Sequence, residues 1–237
     1  MKASPGQIAA LLKVARGLDD LREEVVFIGG IVAGLLVTDP GADEARPTLD
    51  VDLVVEVTSK VDYYETLRGR LLSRGFREDT RERAPLCRWT FDGEDVDVMP
   101  TDPSVLGFSN RWYPHAIATA QRLMLADLVG QVVVRVISAP AFLATKLEAF
   151  AARGEGDLTH PDIEDIIYLI DGRKELVREV ESDVSELRVF VAESIDALLV
   201  AGLEERVSTH LRGDAASQAR EPIVVGILRR LTALGRP

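Results

Sequence analysis

The stretch "RPTLDVDLVVEV", Arg46 to Val57, sets two aspartates two residues apart at the head of an apolar, β-branched run. Such a run reads as a buried strand. Ionised carboxylates are costly to bury without a partner, and Asp is depleted from strands. Side chains at i and i+2 of a strand share a face, so Asp50 and Asp52 project together. Adjacent carboxylates repel, and a divalent cation removes that repulsion. Hard oxygen ligands suit Mg²⁺ (or Mn²⁺), which keeps waters and takes substrate phosphates as further ligands. The plainer alternative is the solvent face of an edge strand, where carboxylates are common.

A second pair lies in "GEDVDVMP", where Asp95 and Asp97 share a face in the same way. "CRWTF" and "DVDVM" flank "DGE", and Asp92-Gly93 is a hairpin turn signal. A hairpin strand beside the Asp50 strand would bring Asp97 to the same cluster. Three carboxylates can hold metal ions that activate a hydroxyl and stabilise the leaving oxygen of a phosphoryl transfer. Upstream, "EVVFIGG" predicts a strand ending in Gly29 and Gly30, with a helix over "IVAGLLV". Bare backbone N–H groups at a helix start form an anion site, and Gly allows close approach of a phosphate. No GKS or GKT follows, so this is not a Walker A loop, and an ordinary tight turn is the alternative.

The chain of 237 residues can bury a real core. "DPGADEARP" is a loop by composition, positions 60–74 carry a helical apolar stripe, and "QVVVRVIS" predicts another strand. "TDPSVLGFSNRWYP" reads as a loop. After Pro140 only helix-like segments follow. A sheet region over 1–139 and a helical region over 140–237 are expected. Strands, helices and a hairpin in this order predict an α/β fold of α+β type, a mixed sheet with flanking helices, rather than regular βαβ alternation. Ser4 caps an expected amphipathic first helix, with Pro5 in its first turn.

Net charge of −11 argues against broad binding of nucleic acid, which depends on Lys and Arg neutralising phosphates. The single cysteine, Cys87, excludes an internal disulfide and reads as a core thiol. The most apolar segment, Val25 to Val37, is too short to span a bilayer. A soluble, cytoplasmic protein with no membrane partner is expected.

Taken in order, the strand ending in Gly-Gly, the "LDVDL" strand and the later strand carrying Asp97 resemble the nucleotidyltransferase superfamily of the DNA polymerase beta type. "SAPAFLATKLEAFAARGEGDLTHPDIEDIIYLIDGR" is similar to the second half of the AbiEii toxin-like nucleotidyltransferases, where a Lys-bearing helix precedes a "D-h-x-D" helix. The resemblance covers about residues 24 to 180. It implies a nucleotidyltransferase-like fold and transfer of a nucleoside monophosphate from an NTP to a hydroxyl, with release of pyrophosphate. It also implies a type IV toxin acting on RNA such as the 3′ end of tRNA, with an antitoxin protein as partner. By the same resemblance Asp50, Asp52 and Asp97 are catalytic and ligate Mg²⁺ or Mn²⁺. Gly29 and Gly30 hold the triphosphate, Thr48 agrees with a Ser or Thr of the toxin relatives, Lys146 contacts phosphates, and Asp162 and Asp165 form the later acidic motif. Gly30 departs from the usual Ser of the glycine motif, and the spacer from Gly30 to Asp50 is longer than usual.

The residues alone leave several readings open. Asp162 also fits an N-terminal helix acid behind "THP". Arg153 suits either a pair with these acids or a nucleotide contact. Arg111, Trp112 and Tyr113 suit either a base-stacking rim or anchors for a long loop. The acceptor could equally be a small molecule such as an aminoglycoside, or a protein side chain. A non-catalytic nucleotidyltransferase-like binding module is a further alternative.

Overall fold

A computed structural model describes residues 2–48, 50–57 and 59–235. Among the described residues the seven strands are β1 (Val25–Ile28), β2 (Asp50–Val55), β3 (Arg77–Glu78), β4 (Arg88–Phe91), β5 (Glu94–Pro100), β6 (Gln121–Ala126) and β7 (Gln131–Val136). The helices are α1 (Pro5–Leu18), α2 (Ala33–Leu36), α3 (Arg68–Ser73), α4 (Pro103–Leu106), α5 (Tyr113–Ala118), α6 (Ala139–Arg153), α7 (Pro161–Gly172), α8 (Leu176–Glu181), α9 (Ser185–Val200), α10 (Ala215–Gln218) and α11 (Glu221–Ala233). A π-helical turn, Asp62–Leu67, leads into α3. The fold is a mixed α/β sheet with flanking helices, followed by a helical region, as the sequence predicts.

The chain divides into two compact units. The sheet unit comprises Ala3–Val32 and Arg46–Ser138. Its seven strands run in the order β3-β4-β5-β2-β1-β7-β6. β2 pairs parallel with β5, β1 pairs parallel with β7, and the remaining neighbours are antiparallel. Val51, Leu53, Val54 and Val55 are buried while Asp50 and Asp52 are half-exposed, so β2 alternates at its head and is apolar at its tail. Leu49, the first residue of the expected strand, lies outside the described residues. α1 packs along the sheet through Leu11, Leu12, Val14, Ala15 and Leu18. Its start is a complete capping box: Ser4 Oγ accepts from the Gln7 amide and Gln7 Oε1 accepts from the Ser4 amide at 3.0 Å, satisfying two orphan donors.

The helical unit comprises Met1–Lys2, Ala33–Ala45 and Ala139–Pro237. The loop expected between the first two strands therefore clusters with the later helices. The Thr38 and Asp39 amides both donate to the Gly172 carbonyl at 2.9 Å. Arg173 donates to the Leu36 carbonyl at 2.7 Å, and Arg220 binds Asp39 and Asp171. Gly172 is required here because a Cβ would meet Val37 Cγ2 at 2.6 Å. The α7 core stripe of Ile163, Ile166, Ile167 and Ile170 is fully buried.

The structure differs from expectation at several places. The helix after Gly30 is only a 3-10 turn, Gly30–Val32, followed by the single turn of α2. Two β-branched residues and Gly34 make it a poor helix, and Asp39-Pro40 ends it. The expected loop after Thr101 contains α4 and the first two residues of α5. β6 was not expected; it is an edge strand with only Leu125 buried, so it lacks a clear apolar alternation.

Phe91 in β4 stacks on Phe76 with ring centroids 4.3 Å apart. A Cβ added at Gly17 in α1 would overlap the Phe91 ring, which its stacking partner holds in place. Ala gains at most about 1 kcal/mol of helix propensity over Gly, whereas overpacking costs roughly 1–3 kcal/mol. Gly17→Ala should therefore lower stability in urea unfolding; a raised midpoint would contradict this packing.

Candidate functional site

β1 runs antiparallel to β2, and β2 runs parallel to β5. The end of β1 and the beginnings of β2 and β5 therefore meet at one end of the sheet. Gly29 follows β1 there, Ile28 pairs with Asp52, Asp50 pairs with Asp95, and Asp52 pairs with Asp97. Directly paired residues share a face, so Asp50, Asp52, Asp95 and Asp97 form one acidic patch. Asp97 is buried and the other three are half-buried. Thr48 Oγ1 donates to Asp50 Oδ1 at 2.9 Å and orients that carboxylate.

Gly29 adopts a φ of +71°, which favours glycine, and a Cβ there would overlap the Asp52 carboxylate. The glycine is thus needed twice, for its backbone and for the space Asp52 takes. Gly30 is buried and opens the 3-10 turn. The Val32 amide donates to the Gly29 carbonyl at 3.3 Å.

The patch meets a cation belonging to the chain itself. Arg88 on β4 donates from Nε to Asp97 Oδ1 and from Nη2 to Asp97 Oδ2, both at 2.7 Å. The same guanidinium reaches Asp50 Oδ2 at 3.1 Å and Asp95 Oδ2 at 3.3 Å. Two parallel N–H···O bonds to one carboxylate are the strong, orienting form of this contact. The hydrogen bonds to Asp97 raise the Arg88 pKa further. Arg81 holds Asp95 through Nη2 at 2.7 and 2.8 Å. Burial, with the Asp97 and Asp52 carboxylates nearby, pushes the Cys87 thiol up to about 12, which makes it a core thiol and no nucleophile.

Among the described residues, no group of three or more His, Cys, Asp or Glu side chains is arranged to hold a metal ion. Asp50 and Asp97 converge instead on Arg88. The donor chemistry is nevertheless that of a hard-cation set, carboxylate oxygens only, and two observations bear on it. The guanidinium is a stand-in positive charge bound by the carboxylates themselves, and the Asp52 oxygen occupies a cradle that only Gly29 leaves open.

The second predicted group assembles in the helical unit. Lys146 on α6 lies 2.7 Å from Asp165 and 3.1 Å from Asp162, both on α7 and both almost fully buried. Arg153 adds two bonds to Asp162 at 3.0 Å. His160 caps α7, its Nδ1 accepting from the Asp162 amide at 3.1 Å. Burial works to raise the Asp162 carboxyl, but the charges of Lys146 and Arg153 outweigh it and hold it below the usual range. Arg153 thus pairs with the acid, one of the two roles open to it. Trp112 and Tyr113 are buried, and the Tyr113 hydroxyl contacts Met99 Sδ at 3.1 Å, so they anchor their segment. Arg111 lies 5.3 Å over the Trp112 ring.

Gly29, Gly30, Thr48, Asp50, Asp52 and Asp97 therefore belong to the sheet unit, and Lys146, Asp162 and Asp165 to the helical unit. Arg88 was missed, yet its signal was present. A two-residue turn at Asp92-Gly93 pairs Phe91 with Glu94, and counting back along the hairpin pairs Arg88 with Asp97.

No family model matches the chain, and no curated protein matches it. Among solved structures the chain is similar to the crystal structure of an antigenic nucleotidyltransferase-like protein from Paracoccidioides brasiliensis. The two share 22% identity over 84% of this chain and 93% of that chain, with a TM-score of 0.47.

A carboxylate with a depressed pKa adds stability that is complete above its unfolded value, about 3.9 for Asp, and is lost as pH falls through the folded value. Asp162 should therefore contribute to acid unfolding below about pH 4. Asp162→Asn should cost roughly 3 kcal/mol at neutral pH and flatten the loss of stability below pH 4, measured by urea unfolding across pH. A variant profile parallel to that of the wild type would show that Asp162 is not a linked group.

Proposed function

We propose that the chain is a metal-dependent nucleotidyltransferase that moves a nucleoside monophosphate from an NTP to a hydroxyl acceptor. The observation that carries this is the register that sets Asp52 beside Asp97 and Asp50 two residues before it, next to the close approach of Gly29. Asp50, Asp52 and Asp97 are the residues that would hold Mg²⁺ or Mn²⁺. A divalent ion there would neutralise phosphate charge and favour an ionised acceptor hydroxyl. Thr48 fixes the Asp50 carboxylate through its hydroxyl. By the sequence resemblance, Gly29 and Gly30 hold the triphosphate, through backbone amides at the turn after β1. The chemistry asks for positioning and charge neutralisation rather than a covalent step on the protein.

Lys146, Asp162 and Asp165 enter the proposal as a nucleotide-facing set by the sequence resemblance alone. The same resemblance supports RNA, such as tRNA, as the acceptor, a toxin role, and an antitoxin protein as partner. The net charge of −11 favours a second reading in which the acceptor is a small molecule or a protein side chain, since polyanion binding needs basic surface.

Incubation with Mg²⁺ and each α-labelled NTP, alone and with tRNA, an aminoglycoside or a protein mixture, should move label to one acceptor class. Asp50→Ala and Asp97→Ala should each lower that transfer by about a hundredfold or more. Transfer to none of these acceptors, or full activity in Asp50→Ala, would sink the proposal.

A further inference from the structure

Two of the three proposed metal ligands, Asp50 and Asp97, are bound in this structure by a side chain that no part of the functional reading uses. β4 is separated from β2 by β5. At about 4.8 Å per strand, Arg88 reaches over β5 to touch Asp50 on β2. Arg is long enough for that span, and its planar fork matches a carboxylate in a way Lys cannot. Both oxygens of Asp97 and one of Asp50 are engaged by it, while the other oxygen of Asp50 holds Thr48. Only 17% of the Arg88 side chain is exposed, so the contact is well shielded from salt.

Arg88 also forms part of the wall of a cavity of about 290 Å³ whose other lining includes Tyr63, Tyr64, Glu78, Leu86 and Trp89. Aromatic faces and carboxylates are the two environments a guanidinium accepts. The carboxylates in that wall are already held, Glu78 by Arg68 and Asp79 by Arg81, so its aromatic rings are what it presents to Arg88.

We propose that Arg88 is a tethered competitor for the cation site: its guanidinium neutralises Asp50 and Asp97 when no metal is bound, and a divalent ion gains those carboxylates by displacing it. This rests on the metal-binding reading above. It makes metal affinity a property of the β4–β5 hairpin, not of the three aspartates alone. Two effects of removing the arginine have the same sign. The metal no longer has to break charge-assisted bonds, and the metal-free carboxylates repel one another.

The test is Mn²⁺ binding to the full chain, followed by the paramagnetic resonance of free Mn²⁺, with melting temperatures read in parallel. Arg88→Gln should bind Mn²⁺ about tenfold more tightly than wild type, or better, given the strength of a bidentate pair. Without metal it should melt lower than wild type, and Mn²⁺ should raise its melting temperature further. Arg88→Lys, which keeps the charge but loses the fork, should show a smaller gain of the same sign, and it serves if Arg88→Gln does not fold. Equal affinity in wild type and the Arg88 variants, with Asp97→Asn abolishing binding, would overturn the competition and leave the metal site standing. No Mn²⁺ binding by any form at millimolar metal would overturn the metal-binding reading and the competition with it.

Discussion

Four aspartates on one face of two paired strands must be neutralised, and the end of the sheet is organised around that demand. The parallel register of β2 and β5 sets Asp50 beside Asp95 and Asp52 beside Asp97. Two unit charges about 5 Å apart repel by roughly 3 kcal/mol at an effective dielectric of 20. Repulsion of that size, repeated along the pair, would favour a slipped register. Arg88 and Arg81 on the adjacent hairpin strand and its preceding loop offset it. The tight turn matters for the same reason. A slip of one residue in the hairpin would turn Arg88 to the opposite face and leave Asp97 without its fork.

The same solution recurs in the helical unit with different parts. Lys146 is placed between two carboxylates one helical turn apart, and Arg153 closes the set. Here burial is nearly complete, so an uncompensated charge would be more costly than at the end of the sheet. In both places the acids that look like ligands in the sequence are first of all partners of a basic side chain. An acidic pair in an apolar segment asks for a cation, and this chain supplies one of its own each time.

Much of the architecture was legible because it is local. β1, β2, the hairpin, β7 and the later helices follow from apolar period, turn residues and caps such as Ser4 and Pro5. The face shared by Asp50 and Asp52 needed only the two-residue period of a strand. What was not legible depends on pairing between distant segments. Nothing near β6 announces an edge strand, since its side chains are mostly exposed. Nothing within Ala33–Ala45 announces that Gly172, Arg173 and Arg220 will hold it. Arg88 lies between these cases: its partner follows from the turn, but its reach to Asp50 requires knowing that β5 lies between β4 and β2.

The excursion of Ala33–Ala45 gives the helical unit a discontinuous origin. The ribosome releases this segment well before the residues that receive it, which lie 137 and 181 positions later for Arg173 and Arg220, so its carbonyls and its apolar Val37 wait for partners not yet made. Pairing across such sequence distance is a slow step, because loop closure precedes its reward. A fragment starting at Ala139 would lack the Leu36 carbonyl and the Asp39 carboxylate that Arg173 and Arg220 bind. The two units therefore cannot be separated by a single cut, and a workable division of the chain would have to carry residues 33–45 with the C-terminal piece.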